Sequence, residues 1–246
     1  MDLRRIAPSS IISSYGEKSV EEVPYITDEL VLFLDASDIE SYSGTGSTWY
    51  DISGNNRDYS IGSGISWNSS GFFTVSGGTF TGPASDSFGF LSTNEHYVEV
   101  VSKINSTTGN NFFNWQASPT SGSDTRGIQT HFYYSNGQTY YDVSGCCSST
   151  QRINYSNDSS LTSSVNHFAW RTRTSATPNR EMIKNRVSQV NSGSNGTATV
   201  NWNRSNPATI GNSWSGNLYS FRVYNRALTD EEANFNYLYD KDKFGF

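Results

Sequence analysis

Cysteine is almost absent from this sequence of 246 residues. There are only two cysteines, Cys146 and Cys147, and they are adjacent. A disulfide between neighbouring residues is strained, and the sequence holds no further cysteine with which either could pair. We therefore expect two free thiols in a turn, which excludes a disulfide-stabilised scaffold and favours assembly in a reducing cytoplasm.

Positive charge and long apolar runs are also scarce. The sequence has 17 Lys and Arg against 23 Asp and Glu, a net charge of −6, and its basic residues form no run. Nucleic-acid binding depends on clustered Lys and Arg, so we expect no nucleic-acid partner. No window approaches the roughly 20 apolar residues that span a bilayer, and the amino-terminal residues lack the apolar core of an export signal. We therefore expect neither membrane insertion nor export.

Histidine is rare too, which bears on metal binding. The three histidines, His96, His131 and His167, are far apart, and none has a second His or a Cys at ligand spacing. Zinc ligands in proteins recur at short, characteristic spacings. The sequence therefore predicts no zinc site.

Glycine and aromatic residues are abundant instead, with 21 Gly, 15 Tyr and 14 Phe. This composition favours strands joined by polar turns. The segment LVLFLD (30–35) is a continuous apolar run, whereas HYVEVVSKI (96–104) and HFAWRTR (167–173) alternate apolar with polar residues. Alternation places one face of a strand toward the core and the other, here with Glu99 and Arg171, toward water. Many such strands separated by Gly, Ser and Asn predict an all-β antiparallel sandwich.

The first 28 residues differ from the rest. Their apolar residues are scattered among Pro, Ser and acidic residues without the period of a strand or a helix. A disordered terminus is one interpretation, but the number of aliphatic side chains favours docking onto another surface. We predict a docking arm over residues 1–28 and a sandwich domain over residues 29–246. The predicted anchors in the arm are Ile6, Ile11, Ile12 and Tyr15.

The sequence also predicts a helix at the carboxyl end. LYSFRVY (218–224) alternates as a strand does, and LTDEE follows shortly after it. Thr229 and Glu232 have the spacing of a capping box, and acidic residues suit the positive end of the helix dipole. Phe235, Leu238 and Tyr239 share one helical face, which we expect to pack on the edge of the sandwich.

Both ends of the predicted sandwich resemble one family. GNLYSFRVYNRALTDEEANFNY (216–237) resembles the last strand and following helix of laminin-G-like domains, which belong to the concanavalin A-like lectin/glucanase superfamily. ELVLFLDASDIESYSGTGSTWYDISGNN (29–56) is similar to the first strand, Gly-rich loop and Trp-Tyr-Asp-x-Ser-Gly turn of that family. The resemblance implies a jelly-roll sandwich. The Leu-Asp-Ala, Ser-Tyr and terminal Lys-x-Lys-Phe-Gly elements are further similar to domains of structural proteins of tailed bacteriophages.

The superfamily includes glucanases, which raises the possibility of catalysis. Those enzymes carry paired carboxylates on one strand as Glu-x-Asp-x-Glu, because an acid and a nucleophile must face the same side of the sugar ring. This pattern is absent from the sequence, and so is a G-x-S-x-G elbow. The nearest acids, Asp35, Asp38 and Glu40, follow a strand and are interpreted as turn-capping residues. We predict that the chain is not an enzyme.

The resemblance implies two kinds of ligand. Laminin-G-like domains often hold calcium on the sandwich rim through oxygen ligands, which makes Asp35 and Asp51 candidate calcium ligands. The alternative for Asp51 is a hydrogen bond within its own turn. Family members also bind sugars through exposed aromatic rings, although most rings in a sandwich belong to the core. The candidate sugar-binding residues are Trp115, Tyr133, Tyr134, Tyr140 and Tyr141.

Three functions follow from the resemblance. The first is a bacteriophage virion structural protein, assembled in the host cytoplasm, held to capsid, neck or tail proteins by its arm and able to bind host-surface carbohydrate. In that role we expect several copies on the particle, with the chain either a monomer or a homo-oligomer. The second is a receptor-binding adhesin or fibre-tip lectin, and the third is a glucanase-like enzyme. The absence of paired catalytic acids makes the third the weakest of the three.

Overall fold

The structure, a computed structural model of the chain, describes residues 24–88, 95–106, 112–116, 126–143, 151–174, 178–189, 192–193 and 206–246. The two cysteines and the four predicted anchors of the arm lie outside these described residues.

In chain order the described strands are β1 (Leu30–Asp35), β2 (Thr48–Trp49), β3 (Tyr59–Ile61), β4 (Ile65–Asn68), β5 (Phe72–Ser76), β6 (Phe80–Ala84), β7 (His96–Ile104), β8 (Phe113–Gln116), β9 (Arg126–His131), β10 (Gln138–Val143), β11 (Arg152–Ser156), β12 (Asn166–Thr172), β13 (Arg180–Lys184), β14 (Val187–Ser188), β15 (Ser192–Gly193), β16 (Pro207–Ile210) and β17 (Ser215–Tyr224). A 3₁₀ turn spans Ser85–Phe88, and the helices are α1 (Ser160–Ser163) and α2 (Asp230–Phe244).

Within the described residues these strands form two sheets. The first has eight strands. Seven of them follow the order β14-β13-β12-β7-β17-β5-β4, and the eighth, β1, pairs with residues 220–224 of β17, whereas β5 pairs with residues 215–218. The second has nine strands in the order β15-β11-β10-β9-β8-β16-β6-β3-β2. Pairing is antiparallel in both sheets, so the predicted all-β sandwich with a short carboxyl-terminal helix is confirmed.

Aromatic rings fill the space between the two sheets. Trp115 on β8 stacks on Phe221 of β17 with ring centroids 6.0 Å apart. Phe113 meets Trp170 of β12 edge to face at 5.1 Å. Each of these side chains is fully buried. Burying a large apolar side chain contributes about 1.5–3 kcal/mol, so these contacts hold the sheets face to face.

Helix α2 begins as its sequence predicts. The Thr229 side chain accepts a hydrogen bond from the Glu232 N–H, and the Glu232 carboxylate accepts one from the Thr229 N–H. This capping box satisfies two of the N–H groups that a helix start leaves without partners. Gly245, in the left-handed region at φ 71°, ends the helix.

The predicted buried face of α2 is wrong. Of its three residues, Phe235 and Leu238 are 46% and 49% exposed, and only Tyr239 is half-buried, where it packs on Tyr25. The buried residues of α2 are Ala233, Asn236, Tyr237 and Asp240. The reason lies in the sheet, which presents charged side chains to the helix. A buried charge requires a partner of opposite charge or a hydrogen bond, so the polar side of α2 turns inward.

On the outer face of the first sheet, side chains that the sequence predicts to be solvent-exposed are therefore buried. Glu99 on β7 and Arg171 on β12 do point away from the core, as alternation predicts, but they are only 1% and 3% exposed. Helix α2 covers them. Of the helices that the structure describes, none is long and apolar enough to cross a membrane.

Residues 24–28, which the sequence assigns to the arm, lie against α2. The Ile26 N–H donates to Asn236 Oδ1 at 2.9 Å, and the Tyr224 hydroxyl donates to the Ile26 carbonyl at 3.0 Å. The Tyr25 ring packs on Phe33 with centroids 4.7 Å apart. The end of the predicted arm is thus part of the domain.

Candidate functional site

The outer face of the second sheet carries a cluster of polar and aromatic side chains. Ile128, Tyr141 and Ile153 point into the core from β9, β10 and β11. Because strand side chains alternate, their neighbours along each strand point outward. We term the outward cluster the tyrosine face, and its members are Asn114, Gln129, His131, Tyr134, Tyr140, Asp142, Arg152 and Asn154.

Strand register arranges most of these side chains in two parallel rows. One row crosses β8, β9, β10 and β11, where Asn114 is paired with Gln129, Gln129 with Asp142, and Asp142 with Arg152. The other row crosses β9, β10 and β11, where His131 is paired with Tyr140 and Tyr140 with Asn154. Directly opposed side chains in a sheet are close enough to interact, so each row acts as a unit.

The first row is held rigid by charge pairing. Arg152 Nε donates to Asp142 Oδ1 at 2.5 Å and Nη2 donates to Oδ2 at 2.6 Å, a two-point contact. Gln129 Nε2 donates to the same carboxylate at 2.9 Å. Burial lowers the pKa of Arg152, but its bonds with Asp142 outweigh burial and the net direction is upward. Arg152 is therefore a fixed cation at every physiological pH.

Three aromatic rings cluster at the second row: His131 and Tyr140, which belong to it, and Tyr134 next to them. The His131 ring lies 5.0 Å from Tyr134 and 6.1 Å from Tyr140, and the two tyrosine rings are 5.8 Å apart. All three rings are half-buried, so part of each remains accessible to solvent. Asn136 Nδ2 donates to the Tyr140 hydroxyl at 2.6 Å, and the Arg152 guanidinium lies 4.3 Å from the Tyr140 ring centre. These contacts fix the rings before any ligand arrives.

The tyrosine face also offers hydrogen-bonding groups. Asn154 Nδ2 donates to Gln138 Oε1 at 2.7 Å, which orients both amides. Asn114 is 7% exposed, and its Oδ1 atom has no hydrogen-bond partner in the part of the chain that the structure describes. The half-buried amide of Asn154 and guanidinium of Arg152, which lie beside the aromatic rings, suit a ligand that carries both hydroxyl groups and C–H surfaces.

The structure brings together two of the five predicted sugar-binding residues. Tyr134 and Tyr140 belong to the tyrosine face. Tyr133 is half-buried and packs on the core. Trp115 and Tyr141 have no exposed surface, so their rings are not available for stacking. Alternation could have excluded Tyr141, because adjacent strand residues face opposite ways and Tyr140 lies on the outer face.

The two predicted calcium ligands do not fit a calcium site. Asp51 accepts hydrogen bonds from the backbone N–H groups of Phe33, Ser53 and Arg57, each at 2.9 Å. Asp35 accepts two bonds from Ser37, and its other oxygen lies 2.7 Å from Lys243 Nζ. A calcium ion takes six to eight oxygen ligands, and among the described residues neither carboxylate belongs to a cluster of three or more potential metal ligands. Both carboxylates are instead engaged by groups of the protein.

Another group of side chains has the donor types of a metal site. Among the described residues, Glu99, His167 and Asp240 place one ligand atom each within 4.8 Å of one another, and all three are buried. The cationic Arg222 already lies between the two carboxylates, with its Nε 2.6 Å from Glu99. Arginine therefore takes the place that a metal ion would need.

Comparison with known proteins supports the fold. No protein-family model and no curated protein matches the chain. Among solved structures, it is similar to a Trypanosoma rangeli sialidase in complex with sialic acid, with a TM-score of 0.62 and 15% identity over 88% of this chain. It is also similar to the binding domain of botulinum neurotoxin serotype D, with a TM-score of 0.60 and 15% identity over 87% of this chain. The binding domain of botulinum neurotoxin DC in complex with SialylT matches with a TM-score of 0.61 and 14% identity over 86% of this chain.

The chain spans only part of each of these proteins. It covers 33% of the sialidase chain and 52% of each toxin chain. At this level of identity the likeness shows the fold. The prediction that the chain is not an enzyme is nevertheless contradicted, because several of the matched structures are sialidases, which are enzymes. We withdraw that prediction.

Proposed function

We propose that this chain is a carbohydrate-binding module and that the tyrosine face is its binding surface. The observation that carries the proposal is a set of three half-buried rings, His131, Tyr134 and Tyr140, beside the half-buried side chains of Arg152 and Asn154 on the outer face of the second sheet. A toxin binding domain with the same kind of fold is known in complex with SialylT, which supports the proposal.

Each half of the tyrosine face has a distinct part in binding. Sugar rings have apolar C–H faces, which pack on the accessible parts of Tyr134 and Tyr140. Hydroxyl groups on the sugar edge accept hydrogen bonds from Arg152. Because contacts within the protein already hold these side chains, little side-chain entropy is lost on binding.

An open sheet face buries less of a ligand than a closed pocket does. We therefore expect weak binding by a single domain. Display of many copies on one surface raises the effective affinity without any new contact, since later binding events become intramolecular.

Substitution of the two tyrosines tests the proposal. We expect Tyr134→Ala and Tyr140→Ala each to weaken glycan binding about 2- to 10-fold, because an aromatic contact contributes roughly 0.5–1.5 kcal/mol. A glycan array with acidic and neutral sugars identifies the ligand, and titration calorimetry with that glycan measures the change. Tyr50→Ala is the matched control, since Tyr50 is 51% exposed and lies elsewhere.

Two outcomes would refute this assignment. One is an array on which the soluble wild-type protein binds no glycan. The other is equal weakening by Tyr50→Ala and by the tyrosine-face variants, which would mean that the sugar binds at a different surface.

We further propose the setting in which the module works. The resemblance of both ends of the domain to structural proteins of tailed bacteriophages supports a place on the phage particle. There the arm attaches the module to capsid, neck or tail proteins, and the tyrosine face contacts host-surface glycans. Assembly takes place in the host cytoplasm.

Purified particles test this setting directly. We expect mass spectrometry to detect the chain in purified particles. A chain that lacks residues 1–23 keeps every contact that the structure describes, so it should fold, but it should be missing from particles. Absence of the full chain from particles would overturn the structural role. Decoration of particles by the truncated chain would overturn the role of the arm alone.

A further inference from the structure

A second candidate site lies on the outer face of the first sheet, beside the carboxyl end of α2. The residues that point into the core from β5, β7 and β17 include Phe73, Val75, Ile104 and Leu218. Because strand side chains alternate, their neighbours point outward. We term the outward cluster, together with the last residue of α2, the helix-end face, and its members are Phe72, Thr74, Lys103, Asn217, Tyr219 and Phe244. All six residues are half-buried, so part of each is accessible to solvent.

Three aromatic rings are in contact on the helix-end face. The Tyr219 ring lies 5.0 Å from the Phe72 ring and 5.5 Å from the Phe244 ring, measured between centroids. The pairing of β17 with β7 shifts register between Leu218 and Ser220, so Tyr219 departs from regular alternation, and its two ring contacts place it on the outer face. The accessible parts of the three rings form an apolar surface on which the C–H face of a ligand can pack.

A row of polar side chains runs beside these rings. Strand register pairs Asn217 of β17 with Thr74 of β5 on one side and with Lys103 of β7 on the other. Asn105 Nδ2 donates to Asn217 Oδ1 at 3.4 Å, which orients the Asn217 amide. Thr74 is two residues from a ring of the cluster along its strand, so the row and the rings are about 7 Å apart. A hydroxyl, an amide and an ammonium group thus lie within reach of a ligand packed on the rings.

Lys103 gives the helix-end face an unbalanced positive charge. Within the described residues Lys103 takes part in no ion pair. Lys243, which lies 5.6 Å from the Phe244 ring centre, is instead paired with Asp35 at 2.7 Å. At physiological ionic strength, exposed charges more than about 8 Å apart are largely screened from one another. The charge of Lys103 therefore affects a ligand on this face more than the net −6 of the chain does, and it favours an anionic group.

We propose that the helix-end face binds an acidic sugar, one that carries a carboxylate. The C–H face of the sugar ring packs on Phe72 and Tyr219. Its carboxylate pairs with Lys103, and its hydroxyl groups exchange hydrogen bonds with Thr74. An acidic peptide would supply the charge, but a row of hydroxyl and amide groups is matched better by a ligand rich in hydroxyl groups. This site lies on the sheet opposite the tyrosine face, and the inference does not depend on the proposed function of that face.

Ligand-observed NMR tests the proposal on the full chain with Tyr134→Ala and Tyr140→Ala, in which the tyrosine face cannot contribute. The probes are trisaccharides of glucuronic and galacturonic acid and their methyl esters, which keep the rings but lose the charge. We expect saturation transfer to at least one acid. Its affinity should fall about 2- to 5-fold on esterification or on Lys103→Gln, from the lost ion pair, and about 2- to 10-fold on Tyr219→Ala, from the lost ring contact.

Lys241→Gln is the matched control, because Lys241 is an exposed lysine of α2 outside the helix-end face and its replacement should leave the affinity unchanged. The proposal is overturned if neither acid gives a signal, or if the methyl esters bind as tightly as the acids. It is also overturned if Lys103→Gln weakens binding no more than Lys241→Gln does. Tighter binding of oligoglutamate than of either acidic sugar would assign the face to an acidic peptide instead. The comparison of acid with ester needs no further substitution, so it holds even if Tyr219→Ala fails to fold.

Discussion

Arg222→Met is expected to destabilise the folded protein by about 3–5 kcal/mol, the usual cost of breaking a buried ion pair from one side. Arg222 is fully buried on β17 beneath α2, where it contacts both Glu99 and Asp240. Burial lowers the pKa of Arg222, but the two carboxylates outweigh burial and hold it well above its usual value. Methionine fills similar space and leaves two buried carboxylates without their cation.

Urea denaturation followed by tryptophan fluorescence measures this loss. Lys241→Met is the control, since Lys241 is exposed on the same helix and its replacement should change stability by no more than about 0.5 kcal/mol. Adding Glu99→Gln and Asp240→Asn to Arg222→Met should restore part of the loss, because it removes the unpaired charges. An Arg222→Met protein as stable as the Lys241→Met control would show that the ion pairs do not hold the helix.

Acid is expected to destabilise the wild-type protein more steeply than a His96→Gln variant. Burial, together with the nearby positive charge of Arg180, lowers the pKa of His96 from 6.5 to about 3. Between these values the unfolded chain binds a proton that the folded chain does not. Stability from this residue is therefore complete above pH 6.5 and falls by up to about 1.4 kcal/mol for each pH unit below it.

Comparison of the two proteins between pH 7 and pH 4 isolates this effect. Carboxylates elsewhere titrate equally in both proteins. The difference between their two curves of unfolding free energy against pH is therefore due to His96. In the structure His96 Nε2 contacts the Tyr141 hydroxyl, which lies 2.7 Å from Thr172 Oγ1, and glutamine can retain such a contact. Parallel curves over this pH range would show that His96 takes up its proton in the folded state.

Local patterns in the sequence were sufficient to predict the class of fold. Alternation in β7 and β12 predicts their inward residues correctly, and the spacing of Thr229 and Glu232 predicts the start of α2. These features depend on neighbours within a few positions. They need no knowledge of what packs against the element.

Longer-range features could not be predicted in this way. Glu99 and Arg171 look like solvent-facing residues until α2 is placed over them, and that placement also reverses the face that α2 buries. The rows of the tyrosine face exist only through strand register, which the sequence does not state. Gln129 and Asp142 therefore had no local signal as site residues, whereas Tyr140 was recognisable as an aromatic residue next to a loop.

The polar underside of α2 limits where the helix can sit. A helix packed through apolar surfaces can slide along its partner without losing much contact. Here Asp240 contacts Arg222 and Asn236 Nδ2 donates to a Glu99 oxygen at 2.8 Å, and both contacts form at only one rotation of α2 about its axis and one position along it. Displacement by a single residue would break both contacts. The position of α2 is therefore discrete, and ion pairing sets the distance between the helix and the sheet.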